Sequence, residues 1–286
     1  FGGFDNSGWS VALSFDGEVL AVGARWNGPQ FDTRVGNVRV FRWNGGAVRW
    51  EQMGDDIVGE ANNDESGSSV SLNEDGSIVA VGALQNDGNG NDSGHVRVYR
   101  FSEVRGSWEQ LGSDLDGAAG GDNFGRAVSL SSSGTIMAVG SPRHDSDGND
   151  FGMVQVYEWM DDSSNEWRQL GSDLEGLGRS DFFGWSLDLN ANGTILAVGA
   201  TENDGGFGPG YVSLYRWEEG DETVTDASSS SPQWRQIGEV IRGDMPLENA
   251  GRSLAISANG EILAVGTPLS TSNAGHVRVY DLSRIY

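Results

Sequence analysis

Cysteine is absent from the chain, so neither a disulfide framework nor a thiolate metal site can hold it together. Only 3 histidines occur, too few and too scattered to suggest a zinc or nucleophilic centre. Proline is also scarce, at 6 residues. No stretch reaches the roughly 20 consecutive apolar residues that cross a bilayer, so direct membrane insertion is not expected. Positive charge is the largest deficit: 18 Lys+Arg face 42 Asp+Glu, a net charge of −24. Such a surface repels nucleic-acid phosphate and anionic lipid, and suits cationic partners or divalent cations held between carboxylates. The chain begins at Phe1 without a signal-like segment, and is expected to be a mature or excised part of a longer polypeptide.

What is abundant is glycine, 44 residues, together with 10 tryptophans in 286 residues. Many tight turns and a packed interior are implied, because disordered chains are poor in aromatics. Self-similarity then organises the whole sequence. Ala-Val-Gly occurs at 21–23, 80–82, 138–140, 197–199 and 264–266, and four segments recur around each copy. The first contains alternating apolar residues, as at Val70 and Leu72, and closes on a hairpin dipeptide such as Asp75-Gly76 or Asn192-Gly193. The second is a continuous apolar run such as Val19–Gly23, expected to be covered on both faces. After a variable loop the third alternates again, as in 95–101, HVRVYRF. The fourth carries Trp-x-Gln-apolar-Gly at Trp50, Trp108, Trp167 and Trp234, and the fifth copy lacks it.

Four antiparallel strands per unit without helical periodicity predict an all-β fold, a β-propeller of five four-stranded blades with the last incomplete. The expected repeats run approximately 4–60, 61–120, 121–180, 181–244 and 245–286 within a single domain. Phe124-Gly125, Phe183-Gly184, the Val-Gly-Ser-Pro of 139–142 and Gly-x-Val-x-Val-Tyr resemble FG-GAP repeats, the blades of the integrin α-subunit propeller and of many algal and bacterial surface proteins. The resemblance covers essentially the whole chain and implies that the loop face carries the ligand. Phe-Gly is kept in two copies only, and the family's calcium loop between strands one and two is replaced by short hairpins. Integrin-type calcium sites are therefore not carried over.

Two acidic loops offer oxygen ligands at alternate positions, the pattern Ca²⁺ requires: Asp87, Asn89, Asn91 and Asp92, and Asp145, Asp147, Asn149 and Asp150. Neither carries the distal bidentate Glu of an EF-hand, and solvated Asx turns are the plain alternative. The residue after each repeat's first glycine is Trp9, Ser68, Arg126, Trp185 or Arg252, a ring expected at the central opening. Trp and Arg there would stack on a sugar or clamp an anion, unless they only plug the axis. The recurrent tryptophans of strand four read as core. Arg242-Gly243-Asp244 reads as ordinary blade sequence, and Asn91-Asp92-Ser93 and Asn192-Gly193-Thr194 as glycosylation acceptors if the chain is secreted.

Taken together these features lead to the expectation of a non-catalytic, extracellular or cell-surface adhesion module. It would bind protein or glycan, belong to a larger assembly with self-association, and use Ca²⁺ if the acidic loops hold it. One alternative is a glycoside-active five-bladed enzyme, for which Asp188 is the one acid inside a first strand and lacks a partner. The other is an architectural subunit of a filament or coat, pairing through an unfinished blade edge.

Overall fold

A computed structural model describes residues 5–28, 33–145, 149–202, 207–220, 231–269 and 274–284. Five antiparallel sheets follow one another around an axis, and the chain is a five-bladed β-propeller. The inner strands are Ser7–Leu13, Ser66–Leu72, Ala127–Leu130, Phe183–Leu189 and Ser253–Ile256. Second strands (Val19–Ala24, Ile78–Ala83, Ile136–Ser141, Ile195–Ala200, Ile262–Thr267) pair with the inner ones, and third strands (Asn37–Asn44, His95–Ser102, Met153–Met160, Tyr211–Glu218, His276–Asp281) pair with the second. Outer strands Arg49–Gln52, Ser107–Gln110, Glu166–Gln169 and Gln233–Gln236 complete four blades, each followed by a two-residue strand paired to the third. Blade five has three strands among the described residues.

The repeated residues explain how neighbouring blades meet. A Cβ on the Ala-Val-Gly glycines Gly23, Gly82, Gly140 or Gly199 would stand only 2.1–2.2 Å from the carbonyl oxygen of the next blade's first glycine. Bare backbone is needed there because the blades touch main chain to main chain. Ser10, Ser69 and Ser186 hydroxyls donate to the same carbonyls, of Gly67, Gly125 and Gly251, at 2.7–2.8 Å. Hairpin tips form a relay around the axis, in which the N–H of Phe15, Glu74, Ser132 and Ala191 each donates to the next tip, ending on the Ala258 carbonyl. At the rim the indole N–H of Trp108, Trp167 and Trp234 donates to Met53, Leu111 and Leu170 of the preceding blade, at 2.8–3.1 Å. Those tryptophans therefore belong to the packing between blades, as their fixed position implied.

Among the described residues nothing bridges blades five and one. Val38, Val40, Val154 and Val156 are at most 2% exposed, sealed by the following blade, whereas their counterparts Val277 and Val279 are 69% and 67% exposed. On the opposite flank Val11, Leu13, Trp43 and Trp50 of blade one are exposed too, with no preceding blade to cover them.

Candidate functional site

Each inner strand opens with a glycine in the left-handed region, φ +82° to +88°, at Gly8, Gly67, Gly125, Gly184 and Gly251. The residue that follows stands at the mouth of the axis. A cavity of about 330 Å³ opens there, and Trp9, Arg126, Trp185 and Arg252 line it. Residues leaving the second strands join them, namely Arg25, Leu84, Gln85, Pro142 and Arg143, along with Asp92 and Asn123. Ser68 does not join. It is buried, and its hydroxyl donates to the Gly82 carbonyl at 3.0 Å.

Arginine stacked on tryptophan dominates this cavity. The Arg25 guanidinium lies 3.4 Å from the Trp9 ring centre, and Arg126 and Arg252 lie 4.2 and 5.1 Å from the Trp185 ring. Arg25 is paired with the buried Glu65 at 3.2 Å. Among the described residues no carboxylate pairs with Arg126 or Arg252. Burial brings the Arg126 pKa down to about 10, helped by repulsion from Arg252 and Arg25, so positive charge is concentrated here. Lysine is absent from the whole chain and all 18 basic residues are arginine, the side chain suited to stacking and to forked recognition of an anion. Asp92 supplies a carboxylate to the cavity wall, one oxygen accepting from Asn91 Nδ2 at 2.9 Å.

In both acidic loops hydrogen bonds already occupy some of the side-chain oxygens. Asp87 accepts from the Asp92 N–H at 2.9 Å and Asn86 from the Gly88 N–H at 2.8 Å, while Asn89 donates to the Gly117 carbonyl at 3.0 Å. In the second loop Asp145 accepts from the Asp150 N–H at 3.1 Å, and burial pushes the Asp150 carboxyl up. The Asn149 carbonyl accepts from the Ser180 N–H at 2.7 Å, and Asp147 lies outside the described residues.

Asp188 is a strut between inner strands. It accepts from the Ser129 hydroxyl at 3.0 Å and from the Ile256 N–H at 2.9 Å, spanning three blades, and burial raises its pKa. The Ser71 and Ser129 hydroxyls do the same work, accepting from the Leu130 and Leu189 N–H groups. Asp244 of the Arg-Gly-Asp tripeptide is paired with Arg278 of blade five.

One recurring feature escaped the sequence reading although its signal was present, an acid three residues before the first glycine of a blade. Asp64, Asp122, Asp181 and Glu248 are buried and accept backbone N–H bonds from Ala61, Ala119, Leu177 and Asp244, tying down the connection between blades. Asp122 also meets His144 Nδ1 at 3.0 Å, and this bond raises the histidine's pKa. In blade two Asn86 donates to Asp64 from the corresponding position, so His144 is the ionisable version of a structural contact.

No family model matches the chain, and no curated protein matches it. Solved structures do. A protein of Bacteroides uniformis provisionally identified as a 6-phosphogluconolactonase superposes with a TM-score of 0.60 at 12% identity, over 96% of this chain and 67% of its own. A second from Bacteroides fragilis, with the same provisional identification, gives 0.58 at 11% identity over 97% and 67%. At these identities the likeness is one of fold. It still corrects the expectation of a non-catalytic adhesion module: both of these neighbours are provisionally named as enzymes, which favours the enzymatic alternative.

Proposed function

We propose that this chain is a hydrolase that opens a small anionic sugar lactone at the mouth of its axis. The observation that carries the reading is the pair of guanidiniums, Arg126 and Arg252, stacked on Trp185 in a chain of net charge −24. Arg126 is half-buried and Arg252 exposed, so an anion can reach both, and a phosphate or carboxylate accepts their forked N–H groups. Trp9 and Trp185 offer faces for a sugar ring. In this reading Asp92 takes a proton from the attacking water and returns it to the ring oxygen as the C–O bond breaks, while the arginines offset the oxyanion that forms in between. The names of the two Bacteroides neighbours support a phosphorylated gluconolactone as the first compound to try.

The test compares hydrolysis of 6-phosphogluconolactone and of unphosphorylated gluconolactone with their spontaneous rates. We expect enzymatic turnover with preference for the phosphorylated compound. Arg126→Met should lower kcat/KM by roughly 10- to 100-fold, the worth of one charge-assisted hydrogen bond. Asp92→Asn should lower kcat with little change in KM. Rates equal to buffer for both lactones would sink the proposal.

A further inference from the structure

We propose that Glu60, His95 and Asp114 form a binding site for a divalent transition ion, with Zn²⁺ as its reference member, at the seam between blades one and two. Glu60 comes from the connection leaving blade one, His95 opens the third strand of blade two, and Asp114 follows that blade's outer strand. One donor atom from each lies within 4.8 Å of the others. His95 is 1% exposed, yet neither ring nitrogen has a hydrogen-bond partner. Its Nδ1 faces Glu60 Oε2 at 3.7 Å and Asp116 Oδ1 at 4.0 Å, too far for hydrogen bonds. Ligand atoms around a tetrahedral ion with bonds of roughly 2.1 Å stand about 3.4 Å apart, so a small contraction completes the geometry.

Other blades show what this position does when no ion is needed. In blade one Asn37, which also opens its third strand, donates Nδ2 to Asp56 at 2.7 Å, and in blade three the position is Met153, buried and apolar. Asp114 is the counterpart of Asp56, but blade two presents an imidazole with no hydrogen bond to it. The supporting contacts suit ligands held for a metal. Gln110 donates to Asp114 Oδ1 at 2.6 Å, and Arg97 lies 3.5 Å from Glu60 Oε1, leaving Oε2 toward His95. Arg97 offsets one negative charge of the three that Glu60, Asp114 and Asp116 bring together. The site is distinct from the axial cavity and does not depend on its proposed chemistry. It also runs against the expectation drawn from the low histidine count, because one imidazole with two carboxylates supplies three ligands and leaves a fourth position for water or Asp116.

The experiment is titration of chelator-treated full chain with Zn²⁺, Mg²⁺ and Ca²⁺, read by calorimetry and by the rise in Tm that mass action demands of an ion bound to the folded state. The expected result is one Zn²⁺ per chain and a saturable Tm rise, both weakened about tenfold or more by His95→Asn and by Glu60→Gln. His95→Asn copies the residue of blade one, and Glu60 is half-exposed, so both variants should fold. His276→Asn in blade five should bind Zn²⁺ as the unmodified chain does. Absence of Zn²⁺ binding, selective binding of Ca²⁺ or Mg²⁺, or unchanged affinity in both seam variants would each overturn the assignment.

Discussion

Asp188 illustrates how a residue that suggests catalysis can belong to architecture. It is a lone acid in an inner strand, and its two oxygens receive Ser129 and Ile256 from the blades on either side. Asp188→Ala should lower stability by about 1–2 kcal/mol, since the half-buried Ile256 N–H loses its acceptor. Asp188→Asn keeps an acceptor and should lose less. Urea unfolding compares them, and equal losses would remove the strut argument. His144 carries a different signature. Its pKa is raised by Asp122, so the folded chain holds the proton more tightly than the unfolded one. The stabilisation is full below the unfolded value near 6.5 and disappears as pH rises through the folded value. Relative to His144→Asn, the unmodified chain should therefore gain Tm at pH 5.5 and lose that gain by pH 8. A difference independent of pH would contradict the ion pair.

At the level of the blade, one tripeptide does more than form a strand. Ala-Val-Gly places a glycine where the next blade's backbone arrives, and a Cβ on Gly140 would lie 2.1 Å from the Gly184 carbonyl oxygen. Gly140→Ala should destabilise by about 1–3 kcal/mol or more, because main chain cannot swing aside as a side chain can. Gly266 of blade five has only the Ser253 side chain that close, so Gly266→Ala should cost less. Thermal melts of the two variants decide it. Equal losses would mean that strand pairing within a blade, rather than contact between blades, selects this glycine.

Over the whole molecule, stability is passed from blade to blade in one direction, and among the described residues it stops between blades five and one. Val156 and Val279 occupy the same place in blades three and five, yet one is 2% exposed and the other 67%. Val156→Asp should unfold the chain or cost several kcal/mol, since it buries an unpaired charge. Val279→Asp should change stability by no more than about 0.5 kcal/mol. A large loss in the second variant, measured at a concentration where the chain is monomeric, would mean that the blade-five face is covered in solution. This chain spans two thirds of each Bacteroides neighbour's length.

Blade number, strand order and the packing role of the rim tryptophans were legible in the sequence, because each depends on local alternation repeated at a fixed spacing. The four cavity residues Trp9, Arg126, Trp185 and Arg252 were legible too, since a ring position recurs once per blade. Ser68 was misplaced because a short hydroxyl finds the neighbouring Gly82 carbonyl more readily than the axis. Arg25 and Arg143 were missed because they leave the second strands, 17 to 18 residues after the glycine that marks the ring, and only strand pairing returns them to it. Which arginines lack a counter-ion, which acid is a strut, and which histidine is left facing carboxylates are decided by neighbours from other blades. Sequence periodicity determines the blade, since each strand's alternation is written in consecutive residues. Charge pairing and burial were decided only in the tertiary structure, since both depend on side chains about sixty positions apart that meet when the blades stack.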